Sequence, residues 1–249
     1  MDAFARRVWT AHADAWQQQG AIRGSFAEGW AELAGVRVMT SGLPHAQWNN
    51  ADVFDSSLVD IDAVRGWYRE RGVPWGARVP AGMPWPHGRH LLDQYLMAQT
   101  RDQFNARAQL AGVTVRAASP DDLESVLMVD AQAFGGDADI ARPWMKPLLH
   151  HNSVTVALAA DVLGPVGTGY AVRSDAHAGP AVYIGGIAVI ERARRRGIGA
   201  AVSSWLLDGS YAAGARLATL QPDTDQAARL YGRLGFSTAG QFRVYLDQS

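Results

Sequence analysis

The stretch Ile187-Ala188-Val189-Ile190-Glu191-Arg192-Ala193-Arg194-Arg195-Arg196-Gly197-Ile198-Gly199-Ala200 concentrates the residue types that could do chemistry. Three consecutive arginines and two glycines spaced by one residue separate an apolar, strand-like run from an apolar, helix-like one. This is the pattern of an anion cradle. Glycine lets a backbone approach a ligand closely. A helix N-terminus presents unpaired N–H groups and partial positive charge. Arginine adds fork-shaped donors suited to phosphate. An arginine-rich solvated turn and a nucleic-acid patch are the competing readings, and the strand before and helix after favour a phosphate-bearing ligand. The Lys-Ser/Thr ending of a Walker loop is missing, and the spacing is not G-x-G-x-x-G.

A second cluster lies downstream, Ala228-Arg229-Leu230-Tyr231-Gly232-Arg233-Leu234-Gly235-Phe236. Arg194-x-x-Gly197-x-Gly199-Ala200 resembles the acetyl-CoA loop of the Gcn5-related N-acetyltransferases (GNAT), and the second cluster is similar to that family's closing helix. The resemblance covers about residues 113–249. It implies an α/β (α+β) fold with a splayed mixed central sheet. Acetyl-CoA would lie in the split, its pyrophosphate on the amides of Arg194, Arg195, Arg196, Gly197, Ile198, Gly199 and Ala200. The pantetheine arm would run like an extra strand along Ile187, Ala188 and Val189. The implied chemistry is direct attack of an amine on the thioester in a ternary complex.

Tyr231 falls on the family's usual proton donor. A phenol of pKa about 10 can protonate a departing thiolate and is itself still protonated at neutral pH. Packing of an amphipathic helix is the alternative role, although Leu230, Leu234 and Phe236 already supply an apolar face. Two departures leave the general base open. The strand Ala181-Val182-Tyr183-Ile184-Gly185-Gly186-Ile187 has no carboxylate, where many relatives carry Glu, and an Asn often found seven residues before the tyrosine is Thr224. Asp223 and Tyr183 are the remaining candidates, and an amine of low pKa needs only water.

The rest of the chain excludes more than it adds. It has 249 residues, no cysteine and a formal net charge of −1. Disulfides, thiolate metal sites and a cysteine nucleophile are therefore excluded. The near-neutral charge argues against nucleic acid as the main partner. His150 and His151 are adjacent and cannot face one metal together, other histidines lack ligand spacing, and no Gly-x-Ser-x-Gly appears, so no metal is expected. Lys146 is the only lysine among 23 basic residues, which reads as bacterial GC-rich coding bias. The N-terminus MDAFARRVWTAHADAW lacks signal-peptide features and no run is long enough to span a bilayer, so a cytoplasmic protein without a membrane partner is expected.

These residues must be positioned by a framework of alternating elements. Apolar spacing predicts a helix over 3–19 whose end Gly20 and Gly24 punctuate, a short helix over 26–33, and an extended segment from Val36. A strand is expected over 52–60, a helix from Asp60 to Arg71, strand and loop over 75–88, and a short helix over His90–Met97. From residue 112 the order is strand 113–116, a helix capped by Ser119-Pro120 and running to Phe134, and a helix over 140–150. Strands follow at 153–160, 167–173 and 181–189, then helix 197–211, strand 217–221, helix 225–234 and strand 241–246. The first half echoes this order, and Leu43-Pro44 to Asn49-Asn50 is weakly similar to a stretch in the degenerate first half of some two-part acetyltransferases.

Two domains are thus expected: 1–111, a divergent half of the same general fold, and 112–249, which binds acetyl-CoA. The expected function is acetyl transfer to an amine of a small molecule or peptide, with homodimerisation plausible. The alternative is a non-catalytic acyl-CoA-binding regulatory module. Seven of nine tryptophans lie within residues 1–85, an excess that suggests part of a substrate pocket.

Overall fold

The computed structural model describes residues 1–23 and 29–248. The first half runs α1 (Ala3–Arg23), β1 (Trp30–Leu33), β2 (Val36–Met39), β3 (Asn50–Val53), α2 (Ile61–Arg69), β4 (Gly76–Pro80) and β5 (Arg89–Thr100). The second runs β6 (Thr114–Ala117), α3 (Leu123–Phe134), α4 (Ala138–Met145), β7 (Val154–Asp161), β8 (Gly164–Ala176) and β9 (Gly179–Val189). It ends with α5 (Ile198–Ala212), β10 (Leu217–Leu220), α6 (Asp225–Gly232) and β11 (Ser237–Leu246). The strands form one sheet in the order β1-β2-β3-β4-β11-β5-β10-β9-β8-β7-β6.

The order is symmetrical about its centre. β3 and β4 are parallel and joined by α2, and β9 and β10 are parallel and joined by α5. Between these two units the last strands of each half change places. β5 borders β10, while β11 borders β4, and β5 and β11 pair with each other antiparallel. The two parallel units match in topology, with the closing strands exchanged.

Local chemistry explains several elements. Asp60 caps α2 by accepting from the N–H groups of Asp62 and Ala63, as the sequence predicts. Ser119 and Asp122 form a capping box ahead of α3. Four expectations fail or shift. α1 runs past Gly20 to Arg23, and Gly24 lies outside the described residues; a Cβ added at Gly20 would overlap the Gly29 carbonyl oxygen. That glycine serves close packing. The expected helix over 26–33 falls partly outside the described residues, and its remainder is strand β1. His90–Met97 is not a helix but the middle of β5, whose ladders to β10 and β11 on both sides outweigh the helix propensity of its Leu, Gln and Met residues. The expected strand over 52–60 shortens to Asn50–Val53.

α1 ties the halves together. Its central residues are buried nearly all round, and Val8 and Trp9 pack with Leu96 of β5 and Phe242 of β11. Asp14 accepts from Arg37 of β2 at 2.7 Å and from the backbone N–H of Ala178, before β9, at 2.8 Å. The chain between β5 and β6 crosses the end of α6. There Gly235 has φ +104°, and a Cβ would overlap the Gln103 carbonyl oxygen at 1.9 Å. Gly235→Ala must strain the backbone and displace that crossing, a cost of at least about 2 kcal/mol. Differential scanning calorimetry should show Tm lowered by about 4–8 °C; an unchanged Tm would mean the crossing moves freely.

Candidate active site

The cradle in the sequence is a gap in the sheet. β9 pairs with β10 only from Ala181 to Tyr183, although β9 continues to Val189. On its other side β9 stays paired with β8, with a bulge at Gly186, φ +60°. Beyond the bulge, the backbone edge of Ile187, Ala188 and Val189 that faces away from β8 has no strand partner. The chain then turns through Glu191–Ala193 and enters α5 at Ile198. Gly197, at φ +84°, is the residue before the helix, and among the described residues no side chain caps that end. The first-turn N–H groups from Ile198 onward therefore have no intrahelical acceptor. A Cβ at Gly199 would stand 3.7 Å from Ile187, Val189 and Leu230, so this residue faces the cleft between β9 and α6.

The arginines divide their work in a way the sequence does not reveal. Arg194 is turned inward, donating to the carbonyls of Val189 at 3.2 Å and Ala133 at 2.9 Å. Arg196 and Arg192 both bind Asp161 at 2.9 Å. Those guanidiniums hold Asp161's carboxyl well below the usual carboxylate range. Arg195, at φ +61°, has no side-chain partner among the described residues. Two of the three consecutive arginines thus shape the loop, and one is available to a ligand.

Tyr231 lies in α6, whose N-cap is Thr224 accepting from the Ala227 N–H at 3.1 Å. Its side chain is buried, with Ser203 among the groups that act on its phenol, and Ser203 donates to the Gly199 carbonyl at 2.9 Å. The phenol is therefore one helical turn from the α5 N-terminus. Burial, with Asp223 nearby, pushes its pKa well up, so the hydroxyl is protonated at neutral pH. Burial also raises Asp223.

Residues 124–236 match the acetyltransferase (GNAT) family model. Residues 124–236 are a GNAT acetyltransferase domain. No curated protein sequence matches the chain. Among solved structures, it is similar to a GCN5-related N-acetyltransferase from Kribbella flavida, with 21% identity, TM-score 0.72, and coverage of 100% of this chain and 97% of that one. A GCN5-related N-acetyltransferase from Sphaerobacter thermophilus has 18% identity and TM-score 0.57 over 86% of this chain and 76% of its own. A tandem GNAT protein from the clavulanic acid biosynthesis pathway has 13% identity and TM-score 0.60 over 100% and 96%. At these identities the structures establish the fold, a mixed sheet flanked by helices across both halves.

In the GNAT domain, two further tyrosines meet the cleft. Tyr170 of β8 lies against the bulge: a Cβ at Gly186 would stand 2.7 Å from its ring and one at Gly185 2.9 Å from its hydroxyl. Tyr183 of β9 donates to Gln221 at 3.3 Å. Burial raises both phenols, so Tyr183 is protonated and does not serve as a base at neutral pH. Among the described residues the carboxylates that act electrostatically on Tyr170 are Asp130 and Asp223. Asp130 of α3 went unread in the sequence; its signal is an acid three and four residues after the buried Leu127 and Val126. Burial raises its pKa.

Tyr170 and Tyr183 also line a cavity of about 500 Å³ shared with the first half. Trp16, Trp48, Trp144 and Tyr245 supply further aromatic wall. The tryptophan excess is thus divided: Trp16 and Trp48 face this space, while Trp9 and Trp75 are packed in cores. No group of three or more potential metal ligands occurs among the described residues, and no helix among them is long and apolar enough to cross a membrane.

Proposed function

We propose that this chain transfers an acetyl group from acetyl-CoA to an amine of a small molecule or peptide, by direct attack. The observation that carries this reading is one cleft holding the unpaired β9 edge, the uncapped α5 N-terminus and the Tyr231 hydroxyl. Acetyl-CoA supplies the thioester. Ile187, Ala188 and Val189 offer backbone N–H and C=O groups to an extended arm, a form of strand addition. The backbone from Arg194 to Ala200 offers N–H groups to the pyrophosphate, and the Arg195 guanidinium adds positive charge. Arg194 and Arg196 keep the loop in shape.

Tyr231 gives its proton to the sulfur as the C–S bond breaks and the C–N bond forms. Burial raises the pKa of a thiolate in the same cleft as it raises the phenol, so donor and acceptor stay matched. The amine's surplus proton leaves to water or Asp223. Residues 1–111 and 112–249 are read as diverged copies, the first contributing the wall of the acceptor cavity.

Gly199→Glu tests the cleft. The added Cβ makes ordinary contacts with Ile187, Val189 and Leu230, and a carboxylate placed on the phosphate path would repel the ligand. Calorimetry should find CoA binding abolished at an unchanged Tm; unchanged affinity in the folded variant would place the site elsewhere. Thiol release from acetyl-CoA across a panel of amines separates catalysis from the regulatory reading, in which CoA binds and no amine is consumed.

A further inference from the structure

We propose that the acceptor is a planar amine uncharged at neutral pH, an aryl amine bearing a neutral hydrogen-bonding group, seated in the aromatic cavity beside Tyr170. This rests on the acetyl-transfer reading and adds the substrate class. The cavity's 500 Å³ suits a ligand of one or two rings. Its aromatic walls are ordered against each other: Trp48 and Trp144 stack at 5.0 Å with 19° between planes, and Trp16 meets Trp144 at 6.0 Å.

Charge selects the amine. Among the described residues no Asp or Glu lines the cavity, and the one charged lining residue is Arg78. Asp52, behind it, is fully engaged, accepting from Arg78 at 2.7 and 2.6 Å through both oxygens. Indole faces can hold an ammonium by cation–π attraction. Here two of them already carry guanidiniums: Arg78 lies 4.3 Å over Trp16, and Arg23 lies 3.4 Å over Trp144. An alkylammonium would lose its water and find no free carboxylate among the lining residues to pair with. An aryl amine enters neutral.

The same property answers the missing base. An aryl amine has its lone pair free at neutral pH, so no carboxylate has to deprotonate it before attack. The nitrogen forms the C–N bond, the C–S bond breaks, Tyr231 protonates the sulfur, and water removes the proton that nitrogen then carries. The polar lining fits a neutral substituent. Tyr183 donates to Gln221 and Gln221 donates to the Gln94 side-chain oxygen at 3.4 Å. The Gln94 amide N–H groups then have no partner among the described residues and can donate to a ligand carbonyl.

The test compares 4-aminobenzamide with 4-(aminomethyl)benzamide, which has the same ring and amide but a protonated alkylamine, and with spermidine. In the full-length protein, 4-aminobenzamide should quench tryptophan fluorescence saturably, and spermidine should not. With acetyl-CoA, kcat/KM for 4-aminobenzamide should exceed that for the other two by about tenfold or more. Preference for either charged amine, absence of quenching, or quenching without acetylation by protein that binds acetyl-CoA overturns the inference. Failure to bind acetyl-CoA overturns the acetyl-transfer reading instead, and the quenching experiment still decides the cavity claim. Gln94→Glu retains the acceptor for Gln221 and places a carboxylate in the cavity. It should move the kcat/KM ratio about tenfold toward 4-(aminomethyl)benzamide; an unmoved ratio overturns the charge argument.

Discussion

Tyr231→Phe is expected to lower kcat by about 10²–10⁴-fold, the usual contribution of general acid assistance. The substitution keeps the ring, its edge-on packing against Phe236 at 6.0 Å and its place over the cleft. It removes only the hydroxyl. The proton is needed only as the thiolate departs, so acetyl-CoA affinity should change by less than about twofold. Steady-state kinetics with calorimetry on the same preparation checks both. Parent-rate turnover would leave Tyr231 a packing role, as would a joint loss of stability and binding. The pH dependence adds a second readout. The phenol's pKa is raised above its free value, so the protonated donor persists through the alkaline range in which free tyrosine ionises. A fall in kcat at alkaline pH in the parent enzyme should therefore not begin below about pH 10 from this group.

A fragment of residues 112–249 is expected to aggregate or remain unfolded, although it contains the cradle and Tyr231. Without residues 1–111 it lacks β5, the strand that lies between β10 and β11. β10 would keep only its three-residue pairing with β9, and β11 would have neither of its partners, β4 and β5. Unpaired edges beside exposed apolar faces favour association between chains. α1 would be missing too, uncovering Tyr183 and Phe242, which now meet His12 at 5.7 and 5.8 Å. Size-exclusion chromatography and circular dichroism check the outcome. A monomeric fragment with full acetyltransferase activity would show that the exchanged strands are dispensable.

What could be read from the sequence was local. Asp60 and Ser119 caps, the turn at Gly197 and the α5 and α6 helices follow from neighbouring residues, and the cradle is contiguous. β5 was misread because Leu91, Leu92, Leu96, Met97 and Gln94 favour a helix in isolation, whereas both its ladders come from strands more than a hundred residues away. The cavity was hidden for the same reason: Trp16, Trp48, Trp144 and Tyr170 sit on four separate segments, and only the surplus of tryptophan hinted at it. The loop arginines look equivalent in sequence. Asp161, thirty-one residues before Arg192, distinguishes them by claiming Arg196.

The exchange of β5 and β11 also sets a timetable for biosynthesis. As the chain leaves the ribosome, β1 to β4 are complete early, but the strand that covers the outer side of β4 is Ser237–Leu246, which emerges only after the whole of the second half before it. The first half cannot close its sheet while the second is still being translated. At about 5–20 residues per second, that edge waits on the order of ten seconds. Until then the nascent first half carries an open strand edge, and the aromatic cavity, lined in part by Val244 and Tyr245 of β11, is completed only when that strand docks.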